Sequence, residues 1–393
     1  MSELGTVRDG AILVQGDRIA AIGPRRKIEK LPAARKAEKL DLRGRVVLPG
    51  FVDSHTHLIF PASRADEYEQ RIAGKSYEQI ARNGGGIQST VNRLRRASPE
   101  ALKTRASACL RQFAANGTTT LEAKSGYGLD WRSEVKILNV LHELHQDQPL
   151  DIVRTFLGAH VAPPEFRRNT GAYVELLVRK WIPSVATSGL ADFCDVYCDR
   201  GAFTVPQARR ILRAGRACGL VPRIHAAQFE RTGAARLAIE LQAASADHLE
   251  RINAADIRAL ALSTVVCTLL PGCCFHLGLA HHAPARQLLD AGAIVALATD
   301  FNPGTSPTNS MPMVLSLACS QLRMSPAEAI SAATINPAYS LRLHDRVGSL
   351  EVGKYADLAA FDVADYREIP YYFGVNLCGM TMKRGIVIHS QNS

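Results

Sequence analysis

Asp53-Ser54-His55-Thr56-His57 sets two imidazoles two residues apart at the end of a β-rich run. Side chains alternate faces along a strand, so His55 and His57 point the same way and offer two ligands to one cation. Taken alone, the pair also fits two histidines lying near a loop. His225 ends a later run, PRIHAAQ, and Asp300 ends another, AIVALATDFNPG. Three imidazoles and a carboxylate from three segments suit a single zinc ion, or iron where that metal is supplied, and leave a position for water. A bound divalent cation lowers the pKa of its water from about 16 to about 7 and polarises a carbonyl, so the set points to hydrolysis. Asp300, with an oxygen to spare, can accept the water's proton and pass it to a leaving nitrogen. His248, in the run SADHLE, is a candidate second proton carrier or oxyanion stabiliser. Its competing reading is a histidine held in place by the neighbouring Asp247.

These residues need elements to bring them together. Short β-rich runs at 46–57, 118–126, 152–160, 193–199, 222–228, 245–250, 264–272 and 293–304 alternate with segments of helical period such as 99–117 and 133–144. Ser98-Pro99 puts proline in a first helical turn, and Ser325 with Glu328 forms a capping-box pattern. Eight β-then-α units predict a parallel (β/α)8 TIM-like barrel, because parallel strands need helical crossovers. His55, His57, Lys124, His160, Asp199, His225, His248 and Asp300 fall at the C-terminal ends of the runs, the face on which such barrels build their active sites. Near the ends of the chain, GAILVQGDRIAAIG (10–23) reads as a hairpin. GSLEVGKYADLAAFD (348–362) and MTMKRGIVIH (380–389) read as strands separated by glycine turns. Both termini therefore predict one small β-sandwich domain, residues 1–48 with 343–393, beside a barrel at 49–342.

Composition narrows the class. A chain of 393 residues fits one large barrel with a minor appendage. The net charge of +10 resides largely in clusters at 25–39 and 93–105, which carry glutamates and no aromatics. They read as solvated faces, and no nucleic-acid partner is expected. No apolar run approaches the ~20 residues of a membrane span, and MSELGTVRDG does not read as a signal peptide. Nine scattered cysteines suggest reduced thiols in a cytoplasmic protein. Cys194 with Cys198, and Cys273 with Cys274, lack the spacing of a structural zinc site and read as packing or loop residues. His276, His281 and His282 follow the seventh run and read as lid or water-facing loop.

The HxH pair, the later strand-end histidine and the final strand-end aspartate resemble the amidohydrolase superfamily, whose small β domain the terminal segments also resemble. A narrower resemblance, to the imidazolonepropionase family, rests on HTHLIF, GKSYEQIARNGGGIQSTV (74–91), TTTLEAKSGYGL, TFLGAH, SADHLE, TLLPG and ATDFNPGTSP. It implies a homodimeric enzyme that converts 4-imidazolone-5-propanoate and water to N-formimino-L-glutamate. It further implies substrate contacts at Arg64, Tyr127, His160, Gln228, Asn302, Gly304 and Thr305, with Arg64 gripping the propionate of this small anionic substrate. Packing is the alternative for Tyr127, and a bond to neighbouring backbone is the alternative for His160. Two departures stand out: Ala227 where the family usually has an acidic residue, and FPASR where it tends to have glycine. Gln228 cannot carry a proton, as the glutamate found there elsewhere in the superfamily does. Lys124 beside Glu122 reads as an ion pair. Two rival functions are a nucleobase deaminase, which normally needs that glutamate, and a non-catalytic scaffold, which predicts lost ligands.

Overall fold

A computed structural model describes residues 3–391; within the 74–91 phrase, the side chains of Tyr77, Glu78 and Ala81 lie outside the described residues. The hairpin read from the sequence is present: β1 (Gly10–Gln15) pairs antiparallel with β2 (Arg18–Pro24), and Gly16 takes a left-handed φ of 62° in the turn. The first long run is not one strand. It divides at Gly50 into β3 (Val46–Pro49) and β4 (Phe51–Asp53). A Cβ on Gly50 would lie 2.3 Å from Thr119 Cγ2, so glycine lets the chain pass close to its neighbour as it changes sheets.

From β4 the strands lie side by side in chain order, each parallel to the next. They are β5 (Thr118–Lys124), β6 (Asp151–Ala159), β7 (Phe193–Cys198), β8 (Val221–Ala226), β9 (Ser245–His248), β10 (Val266–Leu269) and β11 (Val295–Leu297). The last meets the first just beyond their ends: Asp300 N–H donates to the His55 carbonyl at 3.1 Å, and His57 N–H to the Phe301 carbonyl at 2.8 Å. That junction brings the two HxH histidines and the aspartate side by side. The eight predicted runs are the eight barrel strands.

Helices sheathe the barrel for local reasons visible in the sequence. In the helix Pro99–Ala115, Leu102, Ala106, Cys109, Leu110 and Phe113 recur at three- and four-residue spacing and form its buried face. Ser98 caps it by accepting from Ala101 N–H at 3.2 Å, a contact worth about 1 kcal/mol. Truncating Phe113 to alanine, fully buried as it is, would cost about 3–5 kcal/mol. Ser325 forms the expected capping box with Glu328.

The second layer is a sheet of β14 (Ile386–Ser390), β13 (Cys378–Lys383), β12 (Leu358–Phe361) and β3, all antiparallel. Ile12 of the hairpin packs on Leu358, Ala360 and Met380, and Ile19 N–H donates to the Lys354 carbonyl at 2.9 Å. Both ends of the chain thus meet in one small two-sheet unit. Only LAAF of the 348–362 phrase is strand; Gly348 and Gly353, at φ of 90° and 91°, turn the rest. Lys383 ties this unit to the barrel through Asp151 of β6 at 2.7 Å, and pairs within the unit with Asp357 at 2.5 Å. All nine cysteines are free. Among the described residues no helix is long and apolar enough to cross a membrane.

Candidate metal centre and active site

His55 and His57 follow β4, His225 lies in β8 and Asp300 follows β11. Ligand atoms of the three buried histidines lie within 4.8 Å of one another. Asp300 Oδ1 joins them, 3.6 Å from His55 Nε2 and 3.7 Å from His57 Nε2. His55 Nε2 and His225 Nε2, the ring nitrogens left over once Nδ1 of each meets a carboxylate, are buried without a hydrogen-bond partner. Such orphaned nitrogens are costly unless something else satisfies them, and a shared cation would. Burial holds the His55 and His57 imidazoles well below their ordinary range, in the neutral form that ligates metal. The donor set therefore fits one zinc or iron ion.

Beneath the cluster sits a layer that the sequence reading left out. Asp247 Oδ2 accepts from His55 Nδ1 at 2.7 Å, and Asp195 faces His225 Nδ1 at 3.1 Å. Carboxylates on the far nitrogens fix the rings and leave the other nitrogens for a metal. Lys124, fully buried, reaches Glu122 at 2.7 Å and Asp195 at 2.9 Å, the ion pair read from the sequence with one further carboxylate. Arg223 donates to the Ser54 carbonyl at 2.8 Å and lies 3.4 Å from Asp247. Burial alone would raise both aspartates; His225 and Lys124 instead pull Asp195 below the usual carboxylate range, and Arg223 and Lys124 do so for Asp247. Asp247 therefore serves His55. His248 faces Glu250 instead, Nδ1 to Oε1 at 3.6 Å. Burial would lower His248, but Glu250, with Asp300 and Asp247, raises it above its ordinary value.

Several of these positions hold left-handed backbone without being glycine: Ala227 at φ 53°, His248 at 83°, Leu249 at 71° and Asp300 at 52°. Each such residue costs of order 1–3 kcal/mol, and their gathering at the strand ends marks a built site.

A cavity opens at the cluster. Arg64, His160, Gln228, Asn302 and Thr305 line it, with Tyr127 and His248. Arg64 is buried, its Nε and Nη1 make no hydrogen bond, and Glu67 stands 3.6 Å away. Gly304 lies under the guanidinium, where a Cβ would fall 1.2 Å from Nη2. Tyr127 packs 5.4 Å from the His160 ring. His160 pairs Nδ1 with the Gly126 carbonyl at 3.0 Å, and burial pushes its imidazole down to about 3, so it stays neutral. Asn302 uses its amide within its own loop, accepting from the N–H groups of Gly304 and Thr305 at 2.8 and 2.7 Å and donating to the Asp300 carbonyl at 2.6 Å. It thereby shapes the turn carrying Gly304 and Thr305. Asp199 accepts from the N–H groups of Gln228, Phe229 and Glu230, holding the loop after β8. His276 stacks on Tyr68 at 4.8 Å.

A family model described as the Amidohydrolase family matches residues 200–387. Two curated imidazolonepropionases are each 48% identical to the chain. That of Geobacillus kaustophilus aligns over 99% of this chain and 92% of its own length, and that of Solibacter usitatus over 95% and 89%. Among solved structures, a 5-methylcytosine deaminase from Klebsiella pneumoniae superposes with a TM-score of 0.75 at 18% identity, covering 97% of this chain and 95% of that one. An adenosine deaminase from Xanthomonas campestris with bound zinc gives 0.72 at 16% identity, covering 98% and 89%. At such identities these structures bear on the fold alone. The near-full-length relatives decide the family: the chain belongs to the imidazolonepropionases, within the amidohydrolases.

Proposed function

We propose that the chain hydrolyses the lactam bond of 4-imidazolone-5-propanoate to give N-formimino-L-glutamate, a step of histidine degradation, using one zinc or iron ion held by His55, His57, His225 and Asp300. One observation carries this reading beyond family membership. The buried guanidinium of Arg64, with N–H groups that find no hydrogen-bond acceptor, opens on the same cavity as the four-ligand cluster. A small anion can then be held by its carboxylate while its carbonyl lies at the cluster. The bound cation would supply water activation and carbonyl polarisation.

The remaining work falls to side chains. Asp300, with one oxygen to spare beside the histidines, takes a proton from the water. It returns that proton to the ring nitrogen as the C–N bond breaks. His248, favoured as imidazolium by Glu250, donates to the oxygen on which negative charge develops. His160, Tyr127 and Thr305 confine the ring, and Gln228 orients it without carrying a proton. That neutrality argues against nucleobase deamination, although the fold neighbours include deaminases. Family membership supports a homodimer acting in the cytoplasm.

The test is incubation of purified protein with imidazolonepropionate while the ring chromophore is followed. Loss of the chromophore, its suppression by chelator and about one metal ion per chain are expected. Ammonia release from a nucleobase, with no turnover of the imidazolone, would overturn the assignment.

A further inference from the structure

Gln228 is held more firmly than a surface-lining glutamine needs to be. Its backbone N–H donates to Asp199 at 2.6 Å. Its Oε1 accepts from the Tyr197 hydroxyl at 2.9 Å, and its Nε2 donates to Cys273 Sγ at 3.4 Å. These partners come from different parts of the barrel. Tyr197 belongs to β7, its ring packed 5.6 Å from His225 and 6.0 Å from His160. Cys273 lies on the helix Pro271–Leu277 that follows β10. Both are buried, and neither has a part in the mechanism above.

A carboxamide can sit in either of two orientations related by a half turn, one offering a donor and the other an acceptor at a given spot. In this structure the Tyr197 hydroxyl donates to Oε1 and the Cys273 sulfur takes one Nε2 hydrogen, and the two contacts together hold the amide in one of them. The second Nε2 hydrogen has no acceptor among the described residues, and Gln228 lines the cavity. We propose that Tyr197 and Cys273 are positioning residues that lock the Gln228 amide, so that it presents an N–H donor to an acceptor atom of the substrate ring. A ring lacking an acceptor there would leave a buried donor unpaired, and sites of this kind reject such analogues strongly. The inference rests on the reading of Gln228 as a substrate contact.

A double-mutant cycle between Tyr197→Phe and Gln228→Ala tests it. Phenylalanine keeps the ring packing and removes only the hydroxyl. Tyr197→Phe should lower kcat/KM about tenfold, chiefly through KM, and should cause no further loss once Gln228 is alanine. Cys273→Ala should show the same non-additivity, and Cys273→Ser, which keeps an acceptor, should recover most of the activity. If the losses for Tyr197 and Gln228 multiply, Tyr197 acts on its own and the inference fails while Gln228 stays a contact. If Gln228→Ala alone leaves kcat/KM unchanged, the contact itself is wrong and the inference falls with it. Equal melting temperatures for wild type and Tyr197→Phe are expected, and the Cys273 cycle decides the matter if Tyr197→Phe fails to fold.

Discussion

Gly304→Ala isolates the proposed carboxylate grip. An added Cβ would lie 1.2 Å from Arg64 Nη2, 2.0 Å from Cζ and 2.6 Å from Nε. Ordinary contact begins at 3.4 Å, so the tip of the arginine must move by about 2 Å, the difference between 3.4 and 1.2 Å. The guanidinium is the mobile end of a long side chain, and the backbone at 304 is not left-handed, so the fold absorbs the change at little cost. Binding does not. Losing a charge-assisted, bidentate contact in a buried site costs about 2–4 kcal/mol. At about 1.4 kcal/mol per tenfold, kcat/KM should fall roughly 30- to 700-fold. Most of the loss should appear as a higher KM, because the grip acts on substrate and transition state alike. Steady-state kinetics with imidazolonepropionate, beside the uncharged imidazolone ring that lacks the propionate, provides the assay. The ring alone should be nearly insensitive to the substitution. Wild-type kcat/KM for the anionic substrate, or an equal loss for both substrates, would refute the assignment of Arg64.

Three further outcomes follow from the same geometry. Asp195→Asn removes the carboxylate that holds His225 and is expected to weaken metal binding about 10- to 100-fold, measured by chelator competition. Asp300→Asn should abolish turnover, since an amide cannot take the water's proton; an active variant would remove the role given to that carboxylate. Asp53, pushed up to about 7 by burial against two bonds from Thr299, binds its proton more tightly in the fold than in the unfolded chain, where 3.8 is ordinary. The stabilisation is full below pH 3.8 and is lost as the pH rises toward 7, so Asp53→Asn should flatten the stability curve of the metal-free protein across that window. Denaturant melts at several pH values read this directly, and an unchanged slope would contradict the burial argument.

The barrel was legible because its strands are buried on both faces and end in residues that a core would not choose. His55, His57, His225 and Asp300 stood out on those grounds, and they do converge. The division of the first run at Gly50 was not read, although Pro49-Gly50 is a turn dipeptide; that the chain changes sheets there depends on its close approach to Thr119, a residue far along the chain. The 348–362 phrase read as strands separated by glycine turns; the turns fall at Gly348 and Gly353, but only Leu358–Phe361 is strand.

Asp195 and Asp247 were hidden for a different reason. A charged residue inside a buried strand must be paired, since burying a lone ion costs far more than an ordinary contact returns. Glu122, Lys124, Asp195, Arg223 and Asp247 all occupy such positions, so the existence of a buried charge network followed from their placement alone. Its wiring did not. His225 finds Asp195 at a separation of 30 residues, and His55 finds Asp247 at 192, a distance in sequence that only closure of the barrel collapses. Proximity in sequence even favoured the wrong pairing, because Asp247 adjoins His248. Strict alternation would send His248 to the outer side of the barrel; its left-handed backbone, φ 83°, turns it toward the cavity instead, while the Asp247 carboxylate stays with His55. The HxH spacing could be read along one strand, whereas the carboxylates behind its rings depend on strands meeting across the barrel.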